Sequence, residues 1–220
     1  MTTPSANASI LSKHRIEALT DGIFAVAMTL LVIELKLPAH DSIKTQIDLI
    51  NAVGHLLPKF IAWLISFFVL ALFWIGHHKL FHFVRHIDGK LLALCILQLG
   101  FVSLMPFSSA LAGEFAGTWF SQVFYSINMM FLAISAMLIT RYIYRHPELC
   151  MPPMPKGTYL ASRFRLAGLI VISLSAIIIS KYLPGIGNSA FMLMMVIGPI
   201  SRRIEARHNS QSLESSTLSV

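Results

Sequence analysis

Two polar side chains in an otherwise apolar run are the first residues that could do chemistry. The stretch RIEALTDGIFAVAMTLLVIELKLP, Arg15 to Pro38, places a carboxylate, Asp21, ahead of twelve uncharged residues and a hydroxyl, Thr29, among them. A carboxylate near membrane depth is costly unless it has a partner. Asp21 is therefore either a cation or proton site, or an acceptor that ties its helix to a neighbour. A threonine hydroxyl can coordinate a cation through its lone pairs or donate back to a carbonyl of the preceding turn. A second stretch, FWIGHHKLFHF, brings His77, His78 and His82, and with His86 the last two recur every fourth residue. No cysteine or acid joins them at ligand spacing, so they read as juxtamembrane residues and no metal or other cofactor is expected. The chain has no phosphate-binding glycine loop, no HExxH and no GxSxG, and no enzymatic activity is expected.

Only membrane helices can position such residues here. The chain is 55% hydrophobic and 12% charged, with a mean hydropathy of +0.71, far from the balance of a soluble domain. The net charge of +7 sits in short basic clusters between apolar runs, a pattern of membrane topology that argues against nucleic-acid binding. Six runs approach the ~20 residues needed to cross the hydrocarbon core: 18–37, 56–78, 91–112, 119–142, 164–183 and 187–201. The sixth is short and crosses only if extended toward Arg202. With both termini inside, thirteen lysines and arginines face the cytoplasm and four face outward, a strong positive-inside bias that supports an even span number and cytoplasmic termini, as expected of an inner-membrane protein. The first residues lack a secretory signal pattern. Cys95 and Cys150 lie in dissimilar surroundings, and no disulfide is expected. The expected organisation is a cytoplasmic N-terminus (1–17), a six-helix all-α domain embedded in the lipid bilayer (18–204) and a disordered cytoplasmic tail (205–220). Ile43, Ile47 and Ile50 predict a short amphipathic helix on the outer surface, and Pro106 predicts a kink in the third span.

Placed at 100° per residue from Asp21, Thr29 falls at about 80°, Gly22 at about 100°, Ile33 at about 120°, Val26 at about 140° and Leu30 at about 180°. Gly22, Val26, Thr29 and Ile33 advance by 4, 3 and 4, the spacing of a seam that can meet symmetry-related helices. Around a rotation axis, Val26 and Ile33 form narrow hydrophobic layers and Thr29 turns hydroxyl oxygens toward a cation. The alternative is plain helix packing with Thr29 bonded back to its own helix. Asp21 lies off the seam, which favours its role as a fastening.

The Arg15–Pro38 stretch and FWIGHHKLF together resemble the prokaryotic members of the transmembrane protein 175 family of potassium channels. The family hallmark is an arginine, three residues, then Phe-Ser-Asp; here it is Arg15 followed by Leu19-Thr20-Asp21. The resemblance implies a passive, weakly selective potassium channel with six spans per subunit and no Thr-Val-Gly-Tyr-Gly filter. One repeat implies a homotetramer whose central pore is lined by the first helix. It further implies an aliphatic constriction at Val26, with Leu30 on the same face, a hydroxyl layer at Thr29 and a further aliphatic layer at Ile33. Arg15, Thr20 and Asp21 become a structural network with His77 as partner. The rival expectation is a proton-coupled secondary transporter or proton-conducting channel that uses Asp21 and the histidines. Against it, the acid sits at the end of its span and no pair of broken helices occurs in matching halves.

Overall fold

The computed structural model describes residues 13–36, 43–183, 187–194, 197, 198, 200, 201, 203 and 205–207. Among these residues the chain is helical, with one isolated bridge between Val84 and Cys150 and no strand. Helices α1 (Lys13–Ile33), α3 (Leu57–Phe81), α6 (Trp119–Arg145) and α7 (Lys156–Tyr182) are each long and apolar enough to cross a membrane. A fifth crossing is shared by α4 (Gly89–Ser103) and α5 (Met105–Glu114). The 27 residues of α6 and of α7 span roughly 40 Å, so their ends pass beyond a hydrocarbon core of about 30 Å.

α1 begins five residues before the expected start. Its first turn is polar, and the Lys13–Glu17 pair at 3.5 Å has the i,i+4 spacing that supports helix outside the apolar run. It ends at Ile33; Glu34 forms a turn, and Leu35 and Lys36 lie beyond the helix. The expected kink at Pro106 divides the third crossing at Leu104, and α5 restarts with Pro106 in its first turn, where the missing N–H costs little. The expected amphipathic helix is α2 (Gln46–His55), with Ile47 and Ile50 exposed and Ile43 just outside it. Thr45 and Asp48 close a capping box at its N-terminus. The Thr45 hydroxyl, with the backbone N–H groups of Thr45 and Lys44, holds the Asp48 carboxyl below the usual carboxylate range.

The sixth expected crossing lies partly outside the described residues. Within it, Gly187–Leu193 forms a 3-10 segment that packs against α7. Residues 205–207 are helical, and Thr158 Oγ1 donates to Glu205 at 2.9 Å, so helical structure passes the expected boundary at 204. The remainder of the expected tail and the N-terminal segment before residue 13 lie outside the described residues.

The core has two parts. One gathers Phe24 and Leu31 of α1 with Leu70, Val102, Met129, Leu132 and Leu169 from the other crossings. The second joins Ile16 to Phe81, Leu91, Cys95, Ile139 and Ile143. The loops at this second end are stitched by backbone bonds, Arg85 N–H to Leu149 O at 2.7 Å and Met151 N–H to Phe83 O at 2.8 Å. Cys95 is buried and Cys150 half-buried, both as free thiols. α3 and α5 touch closely: a Cβ on Gly113 would stand 2.9 Å from the Lys59 Cα. Gly113→Ala is therefore expected to destabilise the solubilised protein by about 1–3 kcal/mol, read as a lower melting temperature. The backbone contact leaves no flexible side chain to absorb the methyl group.

Candidate ion pathway

α1 has two opposed faces. Ile16, Thr20, Phe24, Ala27 and Leu31, spaced 4, 4, 3 and 4, are buried against α3, α4 and α5. The opposite face carries the seam, where Gly22, Val26, Thr29, Leu30 and Ile33 are all exposed in the single chain. Val26 and Ile33 each keep 56% of their surface exposed. That much bare aliphatic surface facing away from the subunit's own core calls for another covering. Ala18, Leu19, Gly22, Val26 and Leu30 form one side of an open groove of about 360 Å³, and Ser103 of α4 contributes from the other. Ser103 was not evident from sequence, since it lies outside the first helix and belongs to no motif.

Thr29 Oγ1 lies 3.0 Å from Ala25 O and 2.9 Å from Val26 O. The hydroxyl therefore spends its one proton on its own helix, as the plain-packing alternative requires. The same bond leaves the oxygen an acceptor only, with its lone pairs turned off the helix. Back-bonding and cation coordination are thus compatible in one rotamer.

Asp21 is exposed at the edge between the two faces and accepts a hydrogen bond from Trp74 Nε1 at 2.8 Å. The bond ties α1 to α3. The donor is Trp74, three residues before His77, and the indole ring also stacks on His78 with centroids 6.0 Å apart. Sequence reading missed Trp74 because histidine drew attention as the titratable neighbour. An indole donor in the same motif was the available signal. His77 is buried and stacks on Phe81 at 4.1 Å. Thr20 is buried on the packed face, and its Oγ1 has no hydrogen-bond partner among the described residues. Arg15 is exposed. The structure thus joins Asp21 to α3 and buries Thr20 and His77, while Arg15 stays outside that packing. α3 ends at Phe81 with His82 as its C-cap, so His86 falls in the irregular segment before α4 and does not share a helix face with His78.

The family profile described as "Endosomal/lysosomal potassium channel TMEM175" matches residues 15–106, which contain both the seam and the Asp21–Trp74 tie. A potassium channel of Streptomyces collinus is 30% identical over 157 residues, covering 70% of this chain and 75% of its relative. The chain belongs to the TMEM175 family. Its TMEM175 fold resembles the crystal structure of a lysosomal potassium-selective TMEM175 homolog from Chamaesiphon minutus. That comparison has a TM-score of 0.73 and 25% identity, and it covers 86% of this chain and 97% of the other. The endosomal/lysosomal proton channel TMEM175 of Gallus gallus is 26% identical over 203 residues; the match covers 87% of this chain and 40% of the chicken protein. Membership of TMEM175, together with five apolar crossings among the described residues, makes this a multi-pass membrane protein of a channel family and not an enzyme.

Proposed function

We propose that the chain forms a homotetrameric, passive and weakly selective potassium channel whose central pore is lined by α1. The observation that carries this reading is the bare seam of α1, set opposite the face the subunit packs. Four such seams around an axis cover one another and leave a narrow path, with Val26 and Ile33 as aliphatic layers, Leu30 beside them and Thr29 as the hydroxyl layer. The bacterial relatives named as potassium channels support the permeant ion. The distribution of basic residues supports an inner-membrane location, a sixth crossing over 187–201 and cytoplasmic termini. Asp21 acts as a fastening in this arrangement, because its carboxylate is engaged by Trp74.

In liposomes the protein is expected to pass potassium down its gradient without a coupled ion. A flux that needs sodium or proton exchange would overturn the channel reading. Val26→Ala removes two methyl groups from each of four copies at the narrowest layer, where a dry gap sets the barrier. A several-fold rise in single-channel conductance is expected, and an unchanged conductance would place the constriction elsewhere.

A further inference from the structure

Away from the seam, where α3, α4, α6 and α7 converge, the subunit holds a small, partly open cavity of about 30 Å³. Its polar lining comes from His77 of α3, Gln98 of α4, Thr140 of α6, and Ser162 and Arg165 of α7. His77, Gln98 and Thr140 are 8%, 3% and 3% exposed. His77 Nε2 has no hydrogen-bond partner among the described residues, although Gln98 comes within reach of the same ring. Thr140 Oγ1 gives its proton to Ala136 O at 2.8 Å.

The guanidinium of Arg165 is seated on the bare backbone of α3. A Cβ on Gly76 would stand 2.5 Å from Arg165 Nη2, so a side chain at residue 76 would make the guanidinium shift from its present seat. Among the described residues no carboxylate lines the cavity, and Asp21 of α1 acts on His77 only electrostatically. Glu205 acts on Arg165 electrostatically, but it accepts the Thr158 hydrogen bond at 2.9 Å and stands outside the lining. Arg165 is half-buried, and a cation that faces a polar cavity with no lining acid among the described residues leaves room for a counter-charge. The remaining polar groups suit an anion: guanidinium N–H groups, the amide N–H₂ of Gln98 and an imidazole nitrogen that can carry a proton are all donors. Space for water-sized particles begins at about 10–15 Å³, so the cavity matches one or two such particles.

We propose that this cavity is a binding site for a single halide-sized anion, chloride under physiological conditions, held by Arg165, His77 and Gln98. The anion neutralises Arg165 and links α7 to α3 and α4. The site is independent of which ion the central pore conducts.

The test uses the full-length solubilised protein at constant ionic strength, with chloride exchanged for gluconate. The melting temperature is expected to rise by about 5 °C or more from gluconate to saturating chloride, following the logarithm of chloride concentration. Bromide should reproduce the effect and give an anomalous scattering peak between Arg165 and His77 in crystals. Arg165→Met and Gln98→Leu should each abolish the difference between chloride and gluconate. If those variants fail to fold, the bromide peak in the unaltered protein decides the matter. A melting temperature indifferent to chloride, or a cavity holding only water in bromide-soaked crystals, would overturn the proposal.

Discussion

Thr29→Val is expected to bring the potassium-to-sodium permeability ratio close to unity. Valine keeps the volume and β-branching of threonine, so α1 stays helical and its packed face is untouched. The change removes a hydroxyl that, in the single chain, lies within 2.9–3.0 Å of two carbonyls of its own helix. Those carbonyls retain their places in the helix ladder, so the structural loss is small. The chemical loss is larger, because in the proposed tetramer four outward acceptor oxygens vanish from one layer and four methyl groups replace them. A layer able to exchange with an ion's hydration shell becomes a third aliphatic layer between Val26 and Ile33, and conductance should fall along with selectivity. Thr29→Ser retains the oxygen and is expected to keep the ratio. Reversal potentials under bi-ionic conditions measure both variants. An unchanged ratio in Thr29→Val would remove residue 29 from the selectivity mechanism.

What could be read from sequence follows physical range. Helix existence, the exposed seam, the amphipathic helix and the break at Pro106 depend on periodicity or on one residue's covalent geometry, and all are local. The limits of α1 were read less well, since hydropathy marks where apolar residues lie and the helix runs on through a polar first turn. Distant pairings left no local trace. Ser66 meets Ser109 at 2.8 Å and Tyr125 at 3.0 Å inside the bundle, a satisfied hydroxyl cluster that two serines and a tyrosine on three helices do not announce. Arg165 is a plain inner-side cation in sequence, and only its seat on Gly76 marks it as packed against α3. For the pathway, the angle of Asp21 off the seam gave its character, while the identity of its donor needed the registry of α1 against α3.

That registry gives the second large effect. Asp21→Ala and Trp74→Phe each delete one half of a hydrogen bond between a carboxylate and an indole N–H, a class worth about 1.5–3 kcal/mol when one member is charged. Either change is expected to lower the thermal stability of the assembled protein by a comparable amount. The double variant should cost little more than one of them, because both remove the same contact. Additive losses would show that the two side chains act separately. Asp21→Asn sharpens the comparison: its amide oxygen still accepts from the indole while the charge is gone. A fastening tolerates that exchange, so Asp21→Asn should assemble and conduct potassium almost normally. A proton shuttle requires an ionisable group at residue 21, so in a carrier Asp21→Asn would abolish pH-coupled transport while Trp74→Phe left it largely intact. Comparing the two variants in one flux assay separates the roles, because the fastening is sensitive to loss of the indole donor and the shuttle to loss of the charge.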